Sequence, residues 1–283
     1  MAATAFVIEP SAPIGAQLKQ WRTHRRMSQL DLALDAEIST RHLSFVETGR
    51  ARPSRTMVLN LAERLRIPNR ERNGLLLAAG YAPAFPHRAL DDPSLKGARD
   101  TISRLLTGYG AFPALAVDRH WTLVEANAAV MALVGGVAPH LLTPPVNVLR
   151  LSLHPEGLAP AIANLPVWRG AIFSRLREQI ETSADPVLAD LLEELRALPG
   201  GEAPMTDLSA AIAIPMLIDS PVGRLSLIGA VTIFGTPVDV TLSELAIEAF
   251  LPADAETAER LRAMSGAGEG GTAPDQMAAV PPL

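Results

Sequence analysis

Two short helical segments separated by only a few residues constrain this chain more than any other feature. They are Ser28-Gln29-Leu30-Asp31-Leu32-Ala33 and Ser39-Thr40-Arg41-His42-Leu43-Ser44-Phe45-Val46-Glu47-Thr48-Gly49-Arg50. Each opens on a serine, whose hydroxyl can accept from a backbone N–H one turn on and so start a helix. The second closes at Gly49, suited to the left-handed residue that ends a helix. A link this short makes the second helix project while the first braces it, the geometry by which a helix enters a DNA major groove. At about 100° per residue, Arg41, Ser44, Phe45 and Thr48 share the projecting face. Leu43 and Val46 turn toward a core. That face offers a guanidinium for guanine and an apolar ring for a thymine methyl.

Taken whole, the charge argues the other way. The 283 residues carry a formal net charge of -5, whereas phosphate contact usually leaves a basic footprint. The charge is unevenly spread. From Ile14 to Gly80 there are 12 Lys+Arg against 6 Asp+Glu; from Tyr81 onward there are 13 against 23. A basic head is joined to an acidic remainder, which leaves DNA contact to the first 80 residues.

The rest of the first region is helical. One helix is expected over Ile14–His24, with Ile14, Leu18 and Trp21 on one face. The helix after Ser28 carries Leu30, Ala33 and Leu34. Ser54 caps a fourth, with Val58, Leu61, Ala62 and Leu65. A fifth begins near Pro68 and runs to Ala79, before Gly80. Five helices in this order, with the Ser-Gln-x-x-Leu-Ala opening, Leu-Ser-x-x-Glu-x-Gly and Arg-x-Arg-Pro-Ser, resemble the XRE-type (phage repressor and Cro-like) helix-turn-helix domain over residues 14–81. The resemblance implies DNA contacts for Gln29, Ser39, Thr40, Arg41 and Ser44, with Phe45 on the same face and Arg50 and Arg52 on phosphate. It also implies an ion pair between Arg22 and Glu47 that orients the reading helix. Where the family often has glycine in the turn, this chain has Glu37, so a left-handed turn there would be strained.

Residues 1–13 read as a flexible lead-in and 82–96 as a linker. Beyond Gly97 the texture changes to short strands and apolar helices. Strands are expected at Ala114–Val117 and Trp121–Glu125. Asn127 caps a helix to about Val134, and helices follow at Pro166–Ile180 and Pro186–Leu198. Further strands are expected over Ala211–Ile218, Arg224–Phe234 and Leu242–Phe250, then a helix from Asp254 to Met264 and an unstructured tail over 265–283. In the last strand Leu245, Ile247 and Ala249 face one way and Glu244, Ala246 and Glu248 the other. Phe112–Trp121 followed by Glu125-Ala126-Asn127-Ala128-Ala129 resembles the opening of a PAS-type sensor fold. Asn147–Leu151 and Val167-Trp168 are similar to the MmyB-like regulators, in which a helix-turn-helix precedes a PAS-like ligand-binding domain. The expected fold is therefore an all-α five-helix domain followed by an α+β domain, residues 97–264, with an antiparallel sheet.

Several classes of function find no support. There is no cysteine, hence no disulfide or thiolate chemistry. No signal peptide is read at the N-terminus. The apolar runs Leu208–Ile218 and Leu225–Phe234 fall short of the roughly 20 residues a membrane helix needs. Neither a nucleophile elbow nor a phosphate-binding loop occurs. His87, His120, His140 and His154 are scattered, read as showing no i, i+4 or His-x-Glu pairing, and no metal is expected. Glu193, Glu194, Glu178 and Glu181 read as solvated helix faces. The sequence thus describes a cytoplasmic, non-enzymatic regulator that binds duplex DNA, expected as a homodimer. The family implies a small apolar, fatty-acid-like effector, with Trp121, Asn147, Arg150, Trp168 and Phe173 as candidate ligand contacts. An antitoxin-like regulator that binds a protein partner is the alternative, and it would have a filled core in place of a cavity.

Overall fold

The computed structural model describes residues 11–203, 214–234 and 239–268. The lead-in up to residue 10, residues 211–213 of an expected strand and the tail from residue 269 lie outside them. The chain divides into two compact units. The first is built on the residues up to His87 and also takes in Leu176–Asp190; the second holds most of the remainder. The first unit's leading segment ends at His87, within residues 82–96, and Leu176–Asp190 joins that unit because Ala184 is buried in its core. There the carbonyls of Glu181 and Thr182 also accept from Arg25.

The first unit begins with five helices: α1 (Ile14–His24), α2 (Gln29–Asp35), α3 (Thr40–Glu47), α4 (Arg55–Arg64) and α5 (Asn69–Ala78). Ser28, Ser39 and Ser54 cap α2, α3 and α4 by accepting from Asp31, His42 and Met57 N–H. At Ser28 the cap is reciprocal, with Asp31 accepting from the Ser28 N–H at 3.0 Å. The core includes Leu18, Trp21, Leu32, Leu43, Val46, Val58, Leu61, Leu65, Ile67, Leu75 and Leu76. On α2 the buried stripe is Leu32 and Ala33, while Leu30 and Leu34 are exposed. The expected stripe was therefore displaced, because Leu32 and Ala33 are the α2 residues that meet the core built by the other helices.

All five helices end alike. The residue after the C-cap is left-handed: Arg26, Glu37, Gly49, Arg66 and Gly80. The next N–H returns to a carbonyl five residues back: Met27 to Arg22, Ile38 to Ala33, Arg50 to Phe45, Ile67 to Ala62 and Tyr81 to Leu76. This pairing satisfies carbonyls a helix end leaves bare. At three of the five ends a side chain bears a conformation that costs roughly 1–2 kcal/mol outside glycine. Glu37, at φ 56°, is one of them.

The second unit holds a five-stranded sheet: β1 (Ala114–Val117), β2 (Leu123–Ala126), β3 (Pro215–Ser220), β4 (Gly223–Ile233) and β5 (Ala246–Pro252). Their order is β2-β1-β5-β4-β3 and every pairing is antiparallel. The last strand starts later than the alternation suggested, because its ladder with β4 begins at Ala246 opposite Ile233. The preceding Val240–Ser243 is a single helical turn, α11. The strand before β4 likewise runs to Ser220, two residues beyond the expected end.

Side chains alternate across this sheet. Ala114, Ala116, Ile247 and Ala249 pack against Ile102 and Leu106 of α6 (Lys96–Gly108). On the other face Leu115, Glu248 and Val231 form one rung across β1, β5 and β4. That face is covered from α7 (Ala128–Leu133), α8 (Val148–Leu153) and α9 (Leu165–Ser183). Two further helices are α10 (Pro186–Ala197) and α12 (Ala255–Gly268), the latter extending into the segment expected to be unstructured. Arg169 on α9, nearly fully buried, ties the end of α10 by donating to the carbonyls of Leu195, Leu198 and Gly201.

Candidate DNA interface and ligand cavity

The reading helix α3 is held from behind. Arg22 Nε and Nη2 donate to Glu47 Oε1 and Oε2 at 2.7 and 2.9 Å. The Glu47 side chain is 1% exposed. Arg22 also reaches the Met27 carbonyl at 2.8 Å, and Gln29 Nε2 donates to Glu47 Oε2 at 2.7 Å. The hydrogen bond that Arg22 donates to Glu47 raises the Arg22 pKa above its ordinary value, against the opposing effect of burial. One carboxylate thus joins α1, the start of α2 and α3. Gln29 is half-buried, with one amide hydrogen committed to this bracing.

The outward face carries Arg41, exposed, over a half-buried Phe45 at 5.3 Å from guanidinium carbon to ring centre. Arg50 lies over the same ring at 6.0 Å. The ring therefore supports two cations at the surface. Thr40 and Ser44 are half-buried on α3. Ser39 is exposed but its hydroxyl accepts from the His42 N–H, so it caps the helix. Arg52, expected on phosphate, is exposed but also holds a partner within the fold. Its Nη2 donates to the Ala79 carbonyl at 2.8 Å and its guanidinium lies over Tyr81 at 5.7 Å, closing the end of α5.

In the second unit a cavity of about 330 Å³ lies between the sheet and the helices over it, within the size range of small-molecule sites. Its walls are apolar, including Leu115, Val130, Leu149, Ile172, Met216 and Phe250. Trp121 and Trp168, both candidates from the sequence, line it. Trp168 Nε1 donates to Ser152 Oγ at 3.1 Å.

The other three candidates do not line the cavity. The Asn147 side chain accepts from the Leu149 and Arg150 N–H groups, capping α8, and donates to the His120 carbonyl. Arg150 is committed to Glu194 by two bonds of 2.7 Å, and both side chains are about half exposed. That pairing raises the Arg150 pKa and lowers that of Glu194. Phe173 is fully buried, with the Arg169 guanidinium 5.0 Å from its ring.

The charged lining residues Arg175 on α9 and Glu248 on β5 were not among the candidates from the sequence. Arg175 Nη1 and Nη2 donate to the Glu248 carboxylate at 2.9 and 2.6 Å. The guanidinium also stands 4.5 Å from the Trp121 ring. Trp121 takes a left-handed backbone, φ 66°, at the end of the β1–β2 turn. Asp118 stabilises that turn by accepting from the His120 and Thr122 N–H groups at 2.8 Å.

One further cluster corrects the view that the histidines are scattered. His154-Pro155-Glu156 is a His-x-Glu pair, and the fold brings His140 beside it. His140 Nε2 lies 3.9 Å from Glu156 Oε2, and one donor atom from each of the three lies within 4.8 Å of the others. His154 Nδ1 already accepts from the Glu156 N–H, which occupies that ring nitrogen. Among the described residues no helix is long and apolar enough to cross a membrane.

A braced helix pair presenting arginines, followed by a sheet and helices around an apolar cavity, defines a DNA-binding module joined to a ligand-binding domain. Residues 98–264 match the MmyB-like transcription regulator ligand binding domain and residues 13–75 match a helix-turn-helix domain. The chain belongs to the family of helix-turn-helix regulators with an MmyB-like ligand-binding domain. No curated protein matches it. Among solved structures it is similar to an RNA-binding Light-Oxygen-Voltage receptor at 14% identity and a TM-score of 0.24. That alignment covers 89% of this chain and 62% of the receptor, and a likeness so loose carries no argument.

Proposed function

We propose that this DNA-binding transcription regulator is controlled by a small, largely apolar, fatty-acid-like effector held in the second unit. The observation that carries the reading is the 330 Å³ apolar cavity in the domain that matches a ligand-binding family. The alternative of a partner-binding regulator with a filled core has no use for such a space. The reading helix recognises a specific operator through Arg41, Thr40, Ser44 and the Phe45 ring, with Arg50 on phosphate. The protein works in the cytoplasm as a homodimer on a pseudo-palindrome, with half-sites about 34 Å apart. The effector changes operator affinity only as far as it binds two conformations differently.

The test combines native mass spectrometry of the purified protein with binding to promoter fragments at two salt concentrations. A co-purified small molecule, and operator affinity that falls with salt and changes when that molecule is removed, are the expected results. Affinity indifferent to salt would sink the DNA assignment, because phosphate contacts release counterions. DNA affinity unchanged by removing the bound molecule would sink the effector role.

A further inference from the structure

On α3 one aromatic ring carries two arginines. The Arg41 guanidinium carbon stands 5.3 Å from the centre of the Phe45 ring, and that of Arg50 stands 6.0 Å from it. Among the described residues neither arginine side chain makes a hydrogen bond or an ion pair. All five N–H donors of each therefore remain for a ligand. Leu43 and Val46, buried on the opposite side of α3, set which face points outward. Arg50 is placed by the chain itself, since its N–H and that of Ala51 both return to the Phe45 carbonyl, at 2.8 and 3.0 Å. The two arginines differ in position. Arg41 is the second residue of α3, where reading helices meet base edges. Arg50 lies beyond the end of that helix and is exposed.

The guanidinium and the ring meet a base edge with different demands. Guanine O6 and N7 accept two N–H bonds from an arginine, whereas a phenyl ring offers only apolar contact, which a major-groove edge returns at a C5 methyl. Their separation of 5.3 Å is less than two base steps, about 6.8 Å along one strand. A guanidinium in the plane of one base pair thus leaves the ring against the next pair. We propose that the operator holds a guanine directly beside a base with a C5 methyl, and that Arg41 and Phe45 read this step as one unit. The ring holds the guanidinium on guanine O6 and N7 and packs on the neighbouring methyl. Thymine supplies that methyl, and so does 5-methylcytosine, so methylation of a cytosine beside guanine creates a ligand for this site. Arg50, on the same ring, takes an adjoining phosphate. The proposal rests on the DNA-binding reading above and adds the neighbouring base.

The test starts from the full-length protein and a library of random duplexes. Repeated selection and sequencing are expected to enrich a consensus in which guanine and thymine are adjacent, in either order. Anisotropy then compares consensus duplexes that carry thymine, uracil, cytosine or 5-methylcytosine beside the guanine. Thymine is expected to bind about fourfold tighter than uracil, and 5-methylcytosine about fourfold tighter than cytosine, the worth of one buried methyl. Phe45→Ala should bring both ratios to unity. Phe45→Leu keeps an apolar contact but has no π-face for the cation. It should keep the methyl ratios and lower the preference for guanine over adenine. Equal affinity for thymine and uracil, a consensus without the adjacent pair, or salt-dependent binding with no consensus overturns the proposal and leaves DNA binding standing. Binding indifferent to salt, or no binding, overturns the DNA reading and the proposal with it. The wild-type series decides even if a variant does not fold.

Discussion

Arg22 and Glu47 lie side by side behind the reading helix, two hydrogen bonds of 2.7 and 2.9 Å joining residues 25 positions apart. With Gln29 on the same carboxylate, the pair fixes where α3 stands on α1 and α2. Glu47→Ala strands the guanidinium and is expected to cost about 3 kcal/mol, the low end for a broken buried pair, because Arg22 keeps the Met27 carbonyl. Denaturant unfolding of Arg22→Ala, Glu47→Ala and the double variant measures the coupling. Additive effects would show that the pair does not act as a unit.

Arg41, Arg50 and Arg52 should separate by role. Arg41→Ala is expected to weaken operator binding by about 1–3 kcal/mol and relax base preference, as for a base-reading arginine. Arg50→Ala should weaken all sequences alike and lower the salt slope by about one. Arg52→Ala should leave that slope unchanged and lower stability, since its guanidinium closes α5 at Ala79. Anisotropy titrations across salt, paired with melting curves, distinguish the three.

Gly15 is a point of close approach between α1 and α3. A Cβ there would stand 2.1 Å from the Val46 carbonyl oxygen, and backbone cannot step aside as a side chain can. Gly15→Ala is expected to destabilise by about 1–3 kcal/mol through overpacking and to weaken operator binding by moving α3. An unchanged melting temperature would refute the close contact.

Glu37 holds a left-handed backbone at the turn before α3. Glu37→Gly removes the side-chain penalty but adds chain entropy to the unfolded state, for a net gain of about 0.5–1 kcal/mol. It also removes an anion near the DNA-facing turn. Chemical denaturation should show the gain, and a loss of stability would mean that Glu37 makes a compensating interaction.

Gly229 lines the cavity from β4, and a Cβ there meets nothing within 4 Å. Gly229→Val supplies a strand-favouring side chain in open space, with a gain of about 0.5–1 kcal/mol expected from replacing a strand glycine. The same side chain takes up cavity volume, so binding of the co-purified small molecule should weaken. Calorimetry and thermal melting on one sample should move in opposite directions; unimpaired binding would place the effector elsewhere.

Much of the first unit was legible because its signals are local. Ser28, Ser39 and Ser54 cap the next turn of their own chain, and Gly49 and Gly80 end helices through their own backbone freedom. Such interactions span a few residues, so spacing alone reveals them. The displaced stripe on α2 and the bond from Arg52 to the Ala79 carbonyl were not legible, since each depends on a neighbour far along the chain.

The cavity shows the same division more sharply. Alternation correctly set Glu248 on the face opposite Ile247 and Ala249, but it carries no information on what covers that face. Along an isolated strand a glutamate opposite an apolar row reads as solvent-facing. Here α7, α8 and α9 close over it, and Arg175, 73 residues away in sequence, meets it at 2.6 Å. Local patterning and a charge boundary near residue 81 were enough to identify a basic reading head and an acidic second region. That Trp121, Trp168 and the Arg175–Glu248 ion pair line the cavity depended on packing between elements remote in sequence, because desolvation and charge pairing belong to the assembled site and not to the residue.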